Sequence, residues 1–227
     1  KSGDIEMYFV RGIHPHLAKD RQRIMPNYDF IIKTQLVRLQ DLQNDIFEKL
    51  EKNLPENLYY HNVKHTINVY YQTEMIASSE NVSDEEMLLL KTAALMHDIG
   101  YLVSYDKHEE KGVEMTRKTL PSYDYSESQI NTICDLILAT SYPQKPKNHI
   151  EEIICDADLD YLGRPDFMPT SQNLFRELFE RNKISTIEQW NKMQMKFMEK
   201  HRYFTATARR VREPEKQKRL AELKQML

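Results

Sequence analysis

Glycine is scarce in this 227-residue chain, with five in all, and cysteine is scarcer, with two. So few glycines argue against a turn-rich β protein, while abundant Leu, Met, Glu, Lys and Gln favour helices. Long apolar runs are missing as well. The longest, Met87 to Met96, is interrupted by Lys91 and is far too short to cross a bilayer. No signal-peptide pattern is visible. Neither sign of charge dominates: 35 acidic against 32 basic residues leave a formal net charge of −3. That balance confers no general polyanion-binding character, so nucleic acid is not expected as a partner. Cys134 and Cys155 each lie inside an apolar, helix-like run and read as two buried thiols rather than a disulfide, which suits a reducing cytoplasm. The chain starts at Lys1 without an initiator methionine, so a longer parent protein is expected.

The length is ample for one domain with a real core. Leu36, Leu39, Leu42, Ile46 and Leu50 recur at helical spacing and predict a helix that Pro55 stops. A second helix is expected from about Asn62. Ser83 with Glu86 forms a Ser-x-x-Glu box opening a third, expected to end at Gly100. Further helices are expected over Glu109 to Leu120, from a Ser126/Gln129 cap to Ala139, around Ile150 to Leu159, and from a Ser185/Glu188 cap through Trp190 and Phe197. From Arg202 to Lys224 there are eight Lys/Arg against three Glu. A solvated helical face is the plainer reading of that stretch, and a polyanion-binding tail the alternative.

His97-Asp98 follows the apolar run directly. An imidazole offers a borderline nitrogen and a carboxylate a hard oxygen, a pairing that suits a divalent metal such as Zn, Mn or Fe(II). Upstream, Tyr60-His61-Asn62-Val63-Lys64-His65-Thr66 puts two histidines at i and i+4, on one face of a helix. One of them can bind a metal while the other stands over it toward a substrate. Downstream, Asp156 and Asp158 interrupt an otherwise apolar helix, where a cation would offset the cost of their burial. Taken singly, each piece has a plainer reading: a half-buried histidine, or an aspartate capping a helix.

In order, His-x-x-x-His, His-Asp and Ala-Asp-Leu resemble the HD superfamily of metal-dependent phosphohydrolases, over about residues 35 to 210. The resemblance implies an all-α helical bundle over residues 31–227, preceded by a short extended N-terminal arm or linker over 1–30. It implies that His65, His97, Asp98 and Asp158 hold one divalent ion: Mn, Fe, Mg, Zn, Co or Ni. Asp158 is preferred to Asp156 because the family's last ligand usually belongs to an Ala-Asp pair. The Tyr-His-Asn-x-x-His form looks like the cyclic-nucleotide phosphodiesterase branch, whose first histidine, here His61, is the general acid. The implied chemistry is metal activation of a water for attack on phosphorus, with His61 protonating the departing alkoxide and Asp98 reaching toward a second ion.

His108 resembles the extra histidine that some members use for a second metal or the phosphate; an ordinary surface histidine is the competing reading. Ala139-Thr140-Ser141 stands where two-metal members carry a histidine pair, which puts a second protein-held metal in doubt and leaves Thr140 as a hydrogen-bonding contact. Leu162-Gly163-Arg164 resembles less-studied members and makes Arg164 a phosphate contact through its planar fork, with a salt bridge to a neighbouring acid as the alternative.

The expected activity is hydrolysis of a phosphoester, with a nucleotide as partner and a cyclic phosphodiester as the specific candidate. The rival is a nucleotide-sensing or dimerisation module regulating an attached catalytic domain. No membrane span is expected, and the candidate assembly is a homodimer in the cytoplasm. Lys1 to Val10 alternates like a β-strand and resembles the closing strand of a class III nucleotidyl cyclase domain, against the alternative of an ordinary strand-like arm. His14 and His16 read as linker residues.

Overall fold

The computed structural model describes residues 28–225, and over that span the chain is all-α. The strand-like arm, with His14 and His16, lies outside the described residues. The helices are α1 (Tyr28–Asn53), α2 (Val63–Ser79), α3 (Asp84–Met96), α4 (His108–Thr119) and α5 (Glu127–Ala139). They continue as α6 (His149–Asp158), α7 (Phe167–Glu180), α8 (Ile187–Lys200), α9 (Ala206–Val211) and α10 (Glu213–Gln225). No described helix is long and apolar enough to cross a membrane.

The apolar run becomes the central helix. Leu88, Leu89, Leu90, Ala93, Ala94, Leu95 and Met96 are all buried, and α3 packs against α1, α2, α5 and α6. A helix apolar all round is stable only when enclosed on every side. Lys91, the residue that interrupts the run, is accommodated by reach. Its Nζ donates to Glu74 Oε1 at 2.6 Å and sits 4.8 Å over the Tyr70 ring. The Ser83/Glu86 and Ser126/Gln129 capping boxes both form. Cys134 and Cys155 are free and buried.

Three elements depart from expectation. First, α3 ends at Met96 rather than Gly100, because Asp98 leaves helical geometry (φ −104°, ψ 3°) and Ile99–Leu102 tightens into a 3-10 turn. Gly100 then serves a close approach: a Cβ there would lie 1.8 Å from the His108 carbonyl oxygen and 2.7 Å from the Gly112 nitrogen. Backbone cannot yield as a side-chain tip can, so Gly100→Ala is expected to cost about 3 kcal/mol in urea unfolding, at the upper end of overpacking penalties. A loss under about 1 kcal/mol would show that α4 shifts freely.

Second, the cap of α8 is Thr186, whose Oγ1 accepts from Gln189 N at 3.2 Å, one residue beyond the expected Ser185. Ser185 N instead donates to Gln189 Oε1 at 2.9 Å. Third, α7 was not expected. Pro169 sits in its first turn, where a missing N–H breaks no helical bond.

Two apolar cores result. The larger joins α1 to α6. The smaller gathers Leu162, Phe167, Met198, Tyr203, Ala208, Leu220 and Leu223 from the C-terminal third. The basic C-terminal stretch is therefore more than a solvated face. Leu220 and Leu223 are buried in it, and fully buried Lys216 donates to the His201 carbonyl at 2.7 Å and pairs with Glu213 at 2.9 Å.

Candidate metal centre and cavity

His65, His97, Asp98 and Asp158 arrive from three places on the larger core. Asn62 caps α2, its side chain accepting from Lys64 N and His65 N, and so fixes the first turn that carries His65. His97 and Asp98 sit where α3 gives way to the 3-10 turn, and Asp158 is the last residue of α6.

Their donor atoms converge. His65 Nε2 lies 3.3 Å from His97 Nε2, 3.5 Å from Asp98 Oδ2 and 3.3 Å from Asp158 Oδ1. His97 Nε2 is 3.3 Å from Asp98 Oδ2 and 3.9 Å from Asp158 Oδ1. A first-row ion bound at about 2.1 Å requires neighbouring donors roughly 3.0–3.5 Å apart. Buried Asp98 Oδ2 has no hydrogen-bond partner within the protein, and a buried carboxylate oxygen is costly unless a cation meets it. These residues fit a divalent metal. Among the described residues, His65, His97 and Asp98 form the group whose donor atoms lie mutually within 4.8 Å, and Asp158 closes on two of them.

The surroundings orient the donors. His97 Nδ1 donates to the Ala94 carbonyl at 2.8 Å, which leaves Nε2 as the lone-pair nitrogen facing the cluster. Gln144 Nε2 donates to Asp158 Oδ2 at 3.1 Å, leaving Oδ1 toward the histidines. Burial opposes a charged imidazole at His97, but Asp98 and Asp158 outweigh it and hold the group up to about 9. Burial likewise disfavours charge on Asp98, yet His97 and His108 hold its carboxyl well below the usual range.

Asp156, the alternative last ligand, is committed elsewhere. Its Oδ1 accepts from Phe204 N at 2.9 Å, and its Oδ2 accepts from Thr205 N and Thr205 Oγ1, both at 2.8 Å. It ties α6 to the smaller core, and burial pushes its carboxyl up to about 6.

His61 stands beside the metal cluster, and its orientation depends on Glu177, which was not foreseen. Its Nδ1 is 2.6 Å from Glu177 Oε1, and a carboxylate only accepts, so Nδ1 carries the hydrogen and Nε2 is left as the free ring nitrogen. Glu177 Oε2 also accepts from the Tyr60 and His61 backbone nitrogens at 2.9 and 3.1 Å. Burial opposes charge on both partners. Even so, the Glu177 contact, with Asp98 and Asp158, holds His61 above its usual value, and His61 holds Glu177 below its own.

His108 opens α4 directly after Lys107, which adopts the left-handed region (φ 58°, ψ 37°). Its ring stacks on Tyr101 at 4.0 Å, and its Nε2 is 3.5 Å from Asp98 Oδ1. Asp98 thus faces the donor cluster with one oxygen and His108 with the other.

A cavity of about 490 Å³ opens on this centre, with His61, Asp98, His108, Thr140 and Asp158 in its lining. Its far wall comes from α7 and α8, through Leu174, Leu178, Trp190, Met193 and Phe197. Thr140 is buried, and its hydroxyl donates to the Ile137 carbonyl at 2.8 Å. Arg164 does not line this cavity. Its guanidinium is paired with Asp166 at 2.9 and 2.7 Å and borders a narrower polar cleft shared with Lys64, His65 and Asp158.

Comparison with known proteins places this arrangement. Residues 62–160 match the family model for the HD domain. The solved structure of a protein described as a predicted HD superfamily hydrolase, from an uncultured Thermotogales bacterium, superposes with a TM-score of 0.55 at 21% identity, covering 82% of this chain and 90% of that one. Bacillus subtilis YpgQ, solved in complex with ADP, superposes with a TM-score of 0.60 at 16% identity, covering 85% of this chain and 95% of that one. The segment bearing His65, His97, Asp98 and Asp158 is an HD domain.

Proposed function

We propose that this protein is a metal-dependent phosphohydrolase acting on a nucleotide-type phosphoester, with a cyclic nucleotide phosphodiester as the specific candidate. The observation that carries the reading is the convergence of His65, His97, Asp98 and Asp158 at a cavity that also holds an imidazole oriented by a buried carboxylate. His65, His97, Asp98 and Asp158 would hold a divalent ion, which when bound would supply an acidic water and polarise a phosphoryl oxygen.

The chain's own residues supply the remaining steps. Glu177 keeps the His61 proton on Nδ1 in the neutral ring and favours the doubly protonated form, so Nε2–H can donate to an alkoxide leaving phosphorus. His108, held on Tyr101 with its Nε2 3.5 Å from Asp98 Oδ1, would offer a further contact to a second ion or a phosphate oxygen. The presence of ADP in the YpgQ structure supports a nucleotide for a fold of this shape.

The test is to load the purified chain with Mn, Mg or Fe(II) and incubate it with a panel of cyclic and linear nucleotides. Metal-dependent product that vanishes on chelation is expected. Tight binding without product across the panel would instead favour the regulatory module.

A further inference from the structure

We infer that the ligand is a two-unit phosphoester, a dinucleotide, whose second unit places an aromatic ring and an anionic group in a side compartment adjoining the cavity. This rests on the cavity being the ligand site, as proposed above, and narrows that reading to ligands longer than one nucleotide.

The cavity does not stand alone. Tyr142, Gln144, Leu159, Phe197 and Lys200 border it, and the same five border a neighbouring space of about 370 Å³ that reaches Arg202 and Phe204. Gln144, which donates to Asp158, stands at the common edge. Each space falls within the size of a small-molecule site, about 300–1,000 Å³. A single nucleotide bound at the metal centre would leave the second one empty.

The two compartments differ in charge. Asp98, Glu109 and Asp158 line the first, whereas the second has Lys200 and Arg202 and, among the described residues, no Asp or Glu in its lining. Both cations are exposed. Among the described residues Lys200 has no ion-pair partner, and Arg202 donates to the backbone carbonyls of Glu199 and His201, both at 2.7 Å. Glu199, beside Lys200 in sequence, is committed to Lys224 at 2.7 Å. His201 adds no charge, because burial and Lys216 hold its imidazole down to about 4. Two uncompensated cations in a concave space select an anion. The same space suits a ring. Tyr142 is 73% exposed, with Phe197 as its ring contact at 5.7 Å, and Phe204 adds aromatic surface. A tyrosine left this open beside free cations is a platform on which a second base can stack.

The test compares AMP, adenosine 3′,5′-bisphosphate and the 5′-phosphorylated dinucleotide pApA by titration calorimetry on the metal-depleted chain, so that hydrolysis plays no part in the readout. The dinucleotide should bind at least about tenfold more tightly than AMP, within the range of one stacked base, and the bisphosphate, which has the second anion without the second ring, should fall between them. Tyr142→Ala should bring pApA down to the level of the bisphosphate. Lys200→Gln combined with Arg202→Gln should weaken pApA and the bisphosphate and flatten their dependence on salt, while AMP stays within about twofold and so reports an intact fold. A dinucleotide no tighter than AMP, a bisphosphate equal to the dinucleotide, or an advantage that survives these substitutions would each overturn the inference. The expected order in a protein that hydrolyses nothing would leave it standing and defeat only the catalytic reading.

Discussion

Asp98→Ala is expected to empty the metal centre and lower turnover by at least about a thousandfold, since both the activated water and the polarised phosphoryl oxygen depend on the ion. Asp98 lies 3.3 to 3.5 Å from both histidine nitrogens of the cluster and faces His108 with its second oxygen. No other described residue does both. The fold itself should survive, because Oδ2 has no hydrogen-bond partner in the protein to lose. Metal content by elemental analysis, turnover and thermal melting of metal-free samples together separate the outcomes. Loss of metal and activity with a melting point close to that of metal-free wild type is the expected pattern. Full turnover by a metal-free Asp98→Ala protein would rule out the mechanism.

Glu177 gives the second large effect, and it should look different. Glu177→Gln keeps an oxygen that can accept from His61 Nδ1 but loses the charge, so kcat should fall about tenfold. Glu177→Ala removes the orienting contact altogether, and a fall of about a hundredfold or more is expected, within the usual contribution of a positioned general acid. KM and metal content should change little in both, because Glu177 touches His61 and the Tyr60 and His61 backbone rather than the four donors. Stability will drop as well, since truncation strands two backbone donors, at about 1–3 kcal/mol. Activity is therefore to be measured well below the melting transition. If KM rises while kcat holds, Glu177 shapes the pocket and does not position an acid.

Much of the larger core was legible because local chemistry and tertiary packing agree there. The Ser83/Glu86 and Ser126/Gln129 boxes are complete in four residues, and His61 and His65 share a face by spacing alone. The opposite wall was not legible. Glu177 resembles any glutamate on an amphipathic helix, and only the return of α7 across the start of α2, 116 positions distant in sequence, turns it toward His61. Asp156 and Asp158 differ by two positions in one acidic run, and the Phe204–Thr205 backbone separates their roles by claiming the first. Arg164 forms the pair with its neighbour Asp166 that the sequence offers as the alternative to a phosphate contact.

On the proposed function, the division into two cores implies that capture of an ion and grip on a ligand would have separate mechanical foundations. All four donors sit on or at the ends of elements of the larger core, whereas α7 and α8, which form the cavity's far wall, are seated on the smaller one. A subglobal opening that detached the smaller unit would cost less than global unfolding and would leave the metal cage assembled. Product could then depart through the loosened wall without the ion leaving with it.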